Sequence, residues 1–189
     1  MDANKDLEYC ALDVGDAFLE EMARKSGESP GEVVMVIRRP GDTVLLVTKE
    51  FYPAGVYRLP SGQMKEGERP EEALKREASE ETGLQVRVRR HLGAIRCSLR
   101  SRHRSTDYLS HVMLTSETAG QPAPRDIEER ITGFREVDPC ALRDIAGQLK
   151  QLPEPWSDWG RFRALAHEFA YRILCARSSI QTDRPEESC

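Results

Sequence analysis

The chain has 189 residues, 39% of them hydrophobic, with a mean hydropathy of −0.59 and a formal net charge of −4. These values predict a soluble domain with extensions and exclude a membrane protein, because no apolar run approaches the ~20 residues that a bilayer span needs. The negative charge argues against a general nucleic-acid binder. Five scattered cysteines and the lack of a signal peptide favour reduced thiols and a cytoplasmic protein.

The first part of the chain predicts one helix followed by strands. Apolar residues at helical spacing predict an amphipathic helix over residues 12–25, and we assign residues 1–30 to an N-terminal helical extension. Apolar runs at residues 32–38 and 43–48 flank a Pro-Gly turn and predict a β-hairpin. A further short strand is expected at residues 56–59.

A segment rich in glycine and glutamate follows at residues 62–84. It reads Gly-Gln-Met-Lys-Glu-Gly-Glu, then seven residues, then Arg-Glu-Ala-Ser-Glu-Glu-Thr-Gly-Leu. Pro70 suits the first position of a helix and Gly83 suits the residue after its end, so a helix is predicted between them.

The predicted helix carries Glu77, Glu80 and Glu81 at positions i, i+3 and i+4, which puts three carboxylates on one face. One interpretation is a solvated acidic face, balanced by Lys75 and Arg76. The other is a site for a hard divalent cation, since Mg²⁺ and Mn²⁺ take carboxylate, carbonyl and water oxygens. The preceding glycine-rich loop brings backbone carbonyls to the same point, which favours the cation site and an anionic substrate.

The remainder of the chain predicts more strands and two helices. The expected strands are residues 84–88, 91–99, 108–114 and 131–137. A short helix is expected over residues 141–149, and apolar residues at helical spacing from Trp159 to Leu174 predict a long C-terminal helix. We place the main domain at residues 31–177 and treat residues 178–189 as a loose polar tail.

The segment at residues 62–84 resembles the Nudix box: Gly, five residues, Glu, seven residues, Arg-Glu, two residues, Glu-Glu, one residue, Gly and an aliphatic residue. Every charged and glycine letter is present, although Ala78 stands where a bulkier aliphatic residue is usual. Seven such letters coincide by chance on the order of once in 10 million registers. The resemblance implies an α/β/α sandwich around a mixed β-sheet and hydrolysis of nucleoside diphosphates linked to another group X, with Mg²⁺ or Mn²⁺.

The resemblance also implies roles for individual residues. The implied metal ligands are Glu77, Glu80, Glu81 and the loop carbonyl of Gly62 or its neighbour Ser61. Arg76 would orient a neighbouring glutamate through a bidentate pair, which suits its planar guanidinium. Glu68 would help electrostatically or through bound water, and Glu77 or Glu81 would take a proton from the attacking water.

A second pair of acids, Glu128 and Glu129, follows a Pro-rich loop. In some Nudix proteins a glutamate in this region is an extra metal ligand or the general base. The alternative interpretation is a surface pair balanced by Arg125 and Arg130.

Arginines are concentrated between residues 87 and 104. Any single arginine there suits a solvated strand edge, whereas the group could face phosphates, because guanidinium groups match phosphate oxygens. The candidate substrate-binding residues are Arg96, Arg100, Arg102 and Arg104. Tyr52, Tyr57 and Trp156 could stack on a nucleobase, although aromatic residues at these spacings are more typical of a core.

The sequence therefore predicts a metal-dependent pyrophosphohydrolase acting on a nucleoside diphosphate linked to X, of the ADP-ribose, nucleotide-sugar or dinucleoside-polyphosphate type. The alternative is a catalytically silent binding or regulatory protein of the same fold that recognises a nucleotide. The expected partner is a small nucleotide diphosphate, with no membrane and no nucleic acid. The resemblance leaves a homodimer open.

Overall fold

A computed structural model describes residues 7–28, 31–124 and 126–175. The strands are β1 (Leu7–Asp13), β2 (Glu32–Arg38), β3 (Val44–Lys49), β4 (Ser61–Gln63), β5 (Gln85–Arg100), β6 (Ser105–Ala119) and β7 (Ile131–Val137). The helices are α1 (Asp16–Glu28), α2 (Pro70–Thr82), α3 (Leu142–Lys150) and α4 (Ser157–Cys175), with 3₁₀ turns at Ile127–Glu129 and Pro139–Ala141. Within the described ranges, no helix is both long and apolar enough to cross a bilayer.

The strands form one mixed sheet in the order β1-β5-β6-β2-β3-β7, and β4 pairs with β2 beside this path. Central strand β2 runs parallel to β6 and antiparallel to β3. Its side chains alternate between the two faces of the sheet, so both faces are covered. Helix α2 packs with Val33 and Met35 on one face, while α3 and α4 pack with Val34 and Val36 on the other. The predicted α/β/α sandwich around a mixed sheet is confirmed.

The N-terminal segment differs from the prediction of a purely helical extension. Strand β1 occupies Leu7–Asp13 and pairs in parallel with β5, with Cys10 opposite Cys97. Helix α1 therefore begins at Asp16 and not at residue 12. The strand is only half-buried, so its apolar alternation is weak in the sequence. Helix α1 packs through Leu19 and Met22 against Phe162 of α4.

Other predicted strands also change. The strands expected at residues 84–88 and 91–99 are one continuous strand, β5, whose register shifts between Val88 and Arg90 and between His91 and Gly93. These irregularities interrupt the alternation of apolar side chains without ending the strand. The strand expected at residues 56–59 is reduced to one bridge between Val47 and Arg58.

The prediction that all five cysteines are reduced thiols is wrong for two of them. Cys140 and Cys175 form a disulfide with their Cα atoms 5.8 Å apart, which joins the turn before α3 to the end of α4. Cys10 and Cys97 are free thiols. Cys189 lies outside the described residues, as does the predicted polar tail, residues 178–189.

We expect a Cys140→Ser, Cys175→Ser double variant to be less stable than the oxidised wild type by about 3–4 kcal/mol. The reason is that the disulfide closes a loop across a sequence separation of 35 residues, which restricts the unfolded chain. Urea unfolding with and without reductant measures the difference. Reductant should lower the stability of the wild type to that of the variant; an unchanged wild type would contradict the expectation.

Candidate active site

The helix that carries the glutamate cluster, α2, begins at Pro70 and ends before Gly83, as predicted. Gly83 adopts a left-handed conformation (φ 69°) that favours glycine and stops the helix. The inner face of α2 buries Leu74 and Ala78 completely against the sheet. Ala78 is therefore a packing residue, and Glu77 and Glu81 are buried beside this face, whereas Glu80 is partly exposed.

Arg76 connects the acids of this segment. Its Nε and Nη2 atoms donate to both carboxylate oxygens of Glu68 at 2.9 and 2.8 Å, which is the bidentate pair that the resemblance implied. Its Nη1 atom donates to Glu77 at 2.6 Å and to Glu80 at 3.0 Å. A further bond to the carbonyl of Gln63, at 2.9 Å, ties the helix to β4. One guanidinium thus brings Glu77 and Glu80 to a common point.

Glu77 lies directly over Gly62. A Cβ atom added at Gly62 would be 1.9 Å from the carboxyl carbon of Glu77, so only glycine leaves room for this carboxylate. The Glu77 side chain is buried, and burial raises its pKa to about 7. Arg76 opposes this rise, whereas the negative charges of Glu81 and Glu80 add to it. A partly uncompensated carboxylate therefore lies against the backbone of β4.

Glu81 points to a different set of partners. Its Oε1 atom accepts from Nη2 of Arg58 at 3.1 Å and lies 3.4 Å from Nζ of Lys49. Its Oε2 atom accepts from the backbone N–H of Ser61 at 3.0 Å. Because Arg58 engages Glu81 while Arg76 lies between Glu77 and Glu80, the three glutamates do not converge as predicted. Within the part of the chain that the structure describes, no three Asp, Glu, His or Cys side chains are arranged to hold a metal ion.

An open cleft of about 610 Å³ lies beside Gly62 and Glu77, between α1 and α4. Acidic and basic side chains line it together. The acids are Glu21, Glu32, Glu77 and Glu129, and the bases are Lys25, Lys49, Arg58 and Arg163. The size suits a small-molecule ligand, and the mixed charges suit a ligand whose anionic groups are held by bases and by an additional cation.

Helix α4 holds the loop that leads into this site. Arg163 donates from Nη1 to Glu32 at 2.8 Å and to the hydroxyl of Ser61 at 3.0 Å. The Nε2 atom of buried His167 accepts from the backbone N–H of Leu59 at 3.0 Å. The sequence prediction missed Arg163 and His167. The available signal was their i, i+4 spacing on a helix face that is otherwise apolar.

The model of the NUDIX domain family matches residues 29–160, well over half of the chain. The chain belongs to the Nudix family. It is accordingly a Nudix hydrolase, an enzyme that acts on phosphorus anhydride bonds, and the segment at residues 62–84 is its Nudix box.

Solved structures of low sequence identity resemble this Nudix hydrolase. A UDP-X diphosphatase has a TM-score of 0.54 and 18% identity, covering 87% of this chain and 73% of that one. An ADP-ribose pyrophosphatase from Streptococcus suis has a TM-score of 0.47 and 15% identity, with coverages of 82% and 94%. A Nudix hydrolase from Nitrosomonas europaea has a TM-score of 0.49 and 20% identity, and the match covers 71% of this chain and 87% of that one. The first of these shows a shared fold and does not identify a substrate.

The predicted arginine contacts lie away from the cleft. Arg96, Arg100, Arg102 and Arg104, all within the described ranges, are not among the residues that line it. Arg104 donates to Glu20 on the exposed side of α1 at 2.8 Å. Arg96 and Arg100 lie on β5, and Arg102 and Arg104 lie in the turn between β5 and β6. The bases that line the cleft are Lys25, Lys49, Arg58 and Arg163, which were not among the predicted substrate contacts.

The two loop glutamates are separated by the structure. Glu129 lines the cleft, and its carboxylate accepts from Nζ of Lys49 at 2.5 Å. The backbone N–H of Glu128 donates to Asp126, and the Glu128 side chain is exposed and is not part of the cleft wall. Arg125, one of the bases expected to balance this pair, lies outside the described residues. Lys49 thus links Glu129 to Glu81 of the Nudix box.

Four aromatic residues line the wall of the cleft next to Arg58: Phe51, Tyr52, Trp156 and Trp159. Tyr52 and Trp156 were expected as candidates, whereas Tyr57 packs at the edge of the core. The hydroxyl of Tyr52 accepts from Nε of Arg58 at 2.9 Å. We name these four residues the aromatic nest.

His167 provides a pH-dependent contribution to stability. Burial lowers its pKa to about 4, below the value near 6.5 of an unfolded histidine. The unfolded chain therefore binds a proton that the folded chain does not between these two values, and stability falls as the pH decreases from about 6.5 to about 4.

We expect this one group to lower the free energy of unfolding by about 2 kcal/mol between pH 7 and pH 5. Urea unfolding of the wild type and of His167→Gln at both pH values measures the contribution. The variant should be less stable at pH 7 and should lose less stability at pH 5. Equal pH dependence in the two proteins would contradict the assignment.

Proposed function

We propose that this Nudix hydrolase is a Mg²⁺- or Mn²⁺-dependent pyrophosphohydrolase that cleaves the diphosphate linkage of a nucleoside diphosphate joined to another group X. The observation that carries the proposal is the position of Glu77. Its carboxylate is buried at the cleft, lies over Gly62, and shares a nitrogen of Arg76 with Glu80.

The donors at this point fit a hard divalent cation. Glu77 and Glu80, together with the backbone carbonyl of Gly62, would hold it, because such ions prefer carboxylate and carbonyl oxygens. The raised pKa of Glu77 supports the fit, since a cation nearby favours the ionised form of a buried carboxylate. Glu81, bonded to the N–H of Ser61, would fix the loop that carries Gly62. A bound divalent ion would supply neutralisation of the diphosphate and a water of lowered pKa.

The protein side chains would perform the remaining tasks. Lys49 and Arg163 present positive charge to the cleft, where the phosphates of the substrate would lie. Glu129, held by Lys49, would accept a proton from the attacking water. Attack of this water on one phosphorus forms a new P–O bond and breaks the bridging P–O bond, which leaves two phosphate-bearing products.

The UDP-X diphosphatase whose fold this chain shares is named for a substrate of the same class. At 18% identity this supports the class of reaction and leaves X open. The direct test offers ADP-ribose, nucleotide sugars and dinucleoside polyphosphates to the purified protein with Mg²⁺ or Mn²⁺, and again with EDTA. We expect phosphate-bearing products only with the metal. Binding by calorimetry without turnover under either ion would favour a silent binding protein instead.

Variants of Glu129 and Glu128 form a matched pair that tests whether Glu129 is the general base. We expect Glu129→Gln to lower kcat by about 100-fold, since a general base contributes at least that much. Glu128→Gln, one residue away and outside the cleft, should keep kcat within about two-fold of the wild type, because surface substitutions cost little. Steady-state kinetics with the best substrate of the panel measures both. Equal effects of the two variants would remove Glu129 from the mechanism.

A further inference from the structure

The aromatic nest brings together both tryptophans of the chain, Trp156 and Trp159, with Phe51 and Tyr52. Tyr52 is the central ring, with its centroid 5.1 Å from Phe51, 5.7 Å from Trp156 and 4.7 Å from Trp159. The rings of Phe51 and Trp156 are nearly parallel, at 16°, with centroids 6.4 Å apart. Two separate parts of the chain, the loop after β3 and the start of α4, therefore supply one aromatic wall.

Packing alone does not account for the whole nest. Phe51 is 46% exposed, and among the described residues only three large hydrophobic side chains are exposed to this extent. It lies in the cleft and not on a convex surface. Water in contact with such a ring is unfavourable, so a flat apolar ligand that covers it gains free energy. The guanidinium of Arg130, 5.2 Å from the centroid of the Phe51 ring, holds the ring in place.

The nest also adjoins the Nudix box. The hydroxyl of Tyr52 bonds to Arg58, and Arg58 bonds to Glu81. A ligand whose phosphates lie beside Glu77 and Lys49 would therefore reach the nest with its other end, because all of these residues line the same cleft.

We propose that the aromatic nest is the subsite for the nucleobase, with Phe51 and Trp156 as the stacking rings. The identity of the ligand as a nucleotide rests on the proposed function, whereas the recognition of a flat ring rests on the nest itself. Stacking tolerates every base, so the subsite would select nucleotides over sugar phosphates and would discriminate weakly among bases.

The test is tryptophan fluorescence, which reports on the nest alone because the chain has no other tryptophan. The protein is titrated in EDTA with AMP and UMP, and separately with ribose 5-phosphate and inorganic pyrophosphate, which lack a base. We expect saturable quenching by both nucleotides and none by the other two. Phe51→Ala should weaken nucleotide binding roughly ten-fold, as expected for the loss of one stacking partner. Phe51→Tyr, which keeps a ring, should bind like the wild type.

A matched control is Tyr9→Ala, which removes an exposed aromatic ring of β1 that is not part of the cleft. It should leave nucleotide binding unchanged. Quenching by ribose 5-phosphate equal to that by the nucleotides, or unchanged binding in Phe51→Ala, would overturn the subsite. Phe51-dependent binding without any hydrolysis would overturn the proposed function and leave the subsite standing. Metal-dependent hydrolysis that is equally fast whether or not the substrate carries a nucleobase would overturn the subsite and leave the pyrophosphohydrolase activity standing.

Discussion

Replacing Glu77 with glutamine is expected to lower kcat/KM for diphosphate hydrolysis by roughly 10²–10³-fold, the range for removal of one preorganised electrostatic group. The free energy of unfolding of this variant should not fall below that of the wild type. Burial raises the pKa of Glu77 to about 7, above its value near 4.3 in an unfolded chain, so the folded protein disfavours the ionised side chain. Glutamine has nearly the same shape and carries no charge.

The sign of the pH dependence follows from the same shift. Because the folded pKa is raised, the wild type loses stability relative to Glu77→Gln as the pH rises from about 4 to about 7. Kinetics and urea unfolding at pH 5 and pH 7 measure both effects. Glu72→Gln is the control on the same helix, since Glu72 is exposed and bonds to Arg69 outside the site. A loss of activity that scales with a loss of stability would show that Glu77 has only a structural role.

Replacing Gly62 with alanine is expected to damage both stability and activity. The new Cβ atom would lie 1.9 Å from the carboxyl carbon and 2.0 Å from one oxygen of Glu77, so either the carboxylate or β4 must move. Overpacking of this kind costs typically 1–3 kcal/mol. Displacement of Glu77 from its place should lower kcat/KM by at least ten-fold, measured together with urea unfolding.

A double-mutant cycle tests whether the collision is the cause. Glu77→Ala removes the colliding atoms, so Gly62→Ala should cost little stability in that background, and the two changes should not be additive. Gly147→Ala is the matched control, because nothing lies within 4 Å of an added Cβ there and the residue is in helix α3. That variant should be as stable as the wild type or slightly more. Additive effects at residues 62 and 77 would contradict the steric explanation.

The parts of the fold that the sequence predicts well are those with strong burial. Strand β2 buries six of its seven residues, so it is a continuous apolar run and its bounds were predicted correctly. Strand β1 lies at an edge and is half-buried, which leaves a weak pattern that was assigned to the neighbouring helix. Strand β5 was divided at residues 89–90 because its bulges break the alternation that identifies a strand.

In the site, the sequence predicts contacts between residues that are near each other in the chain, and it does not predict contacts between distant residues. The spacing of the Nudix box predicts that Arg76 pairs with a neighbouring glutamate, and Glu68, eight residues earlier, accepts from it. The roles of both residues in catalysis stay predictions. Arg163 and His167 contact Ser61 and Leu59 from positions more than 100 residues away, so their i, i+4 spacing marks them as polar residues on an apolar helix face but does not indicate these partners. The arginines near residue 100 were clustered in the sequence, but the hairpin carries them away from the cleft.

The metal site at Glu77 is tested most directly by titrating the wild type and a Glu77→Gln, Glu80→Gln double variant with Mn²⁺ while electron paramagnetic resonance measures the free ion. We expect the wild type to bind Mn²⁺ saturably, Mg²⁺ to compete for the same site, and the double variant to lose this binding while it remains folded. Equal Mn²⁺ binding by the two proteins, or none by the wild type, would contradict the metal site at Glu77.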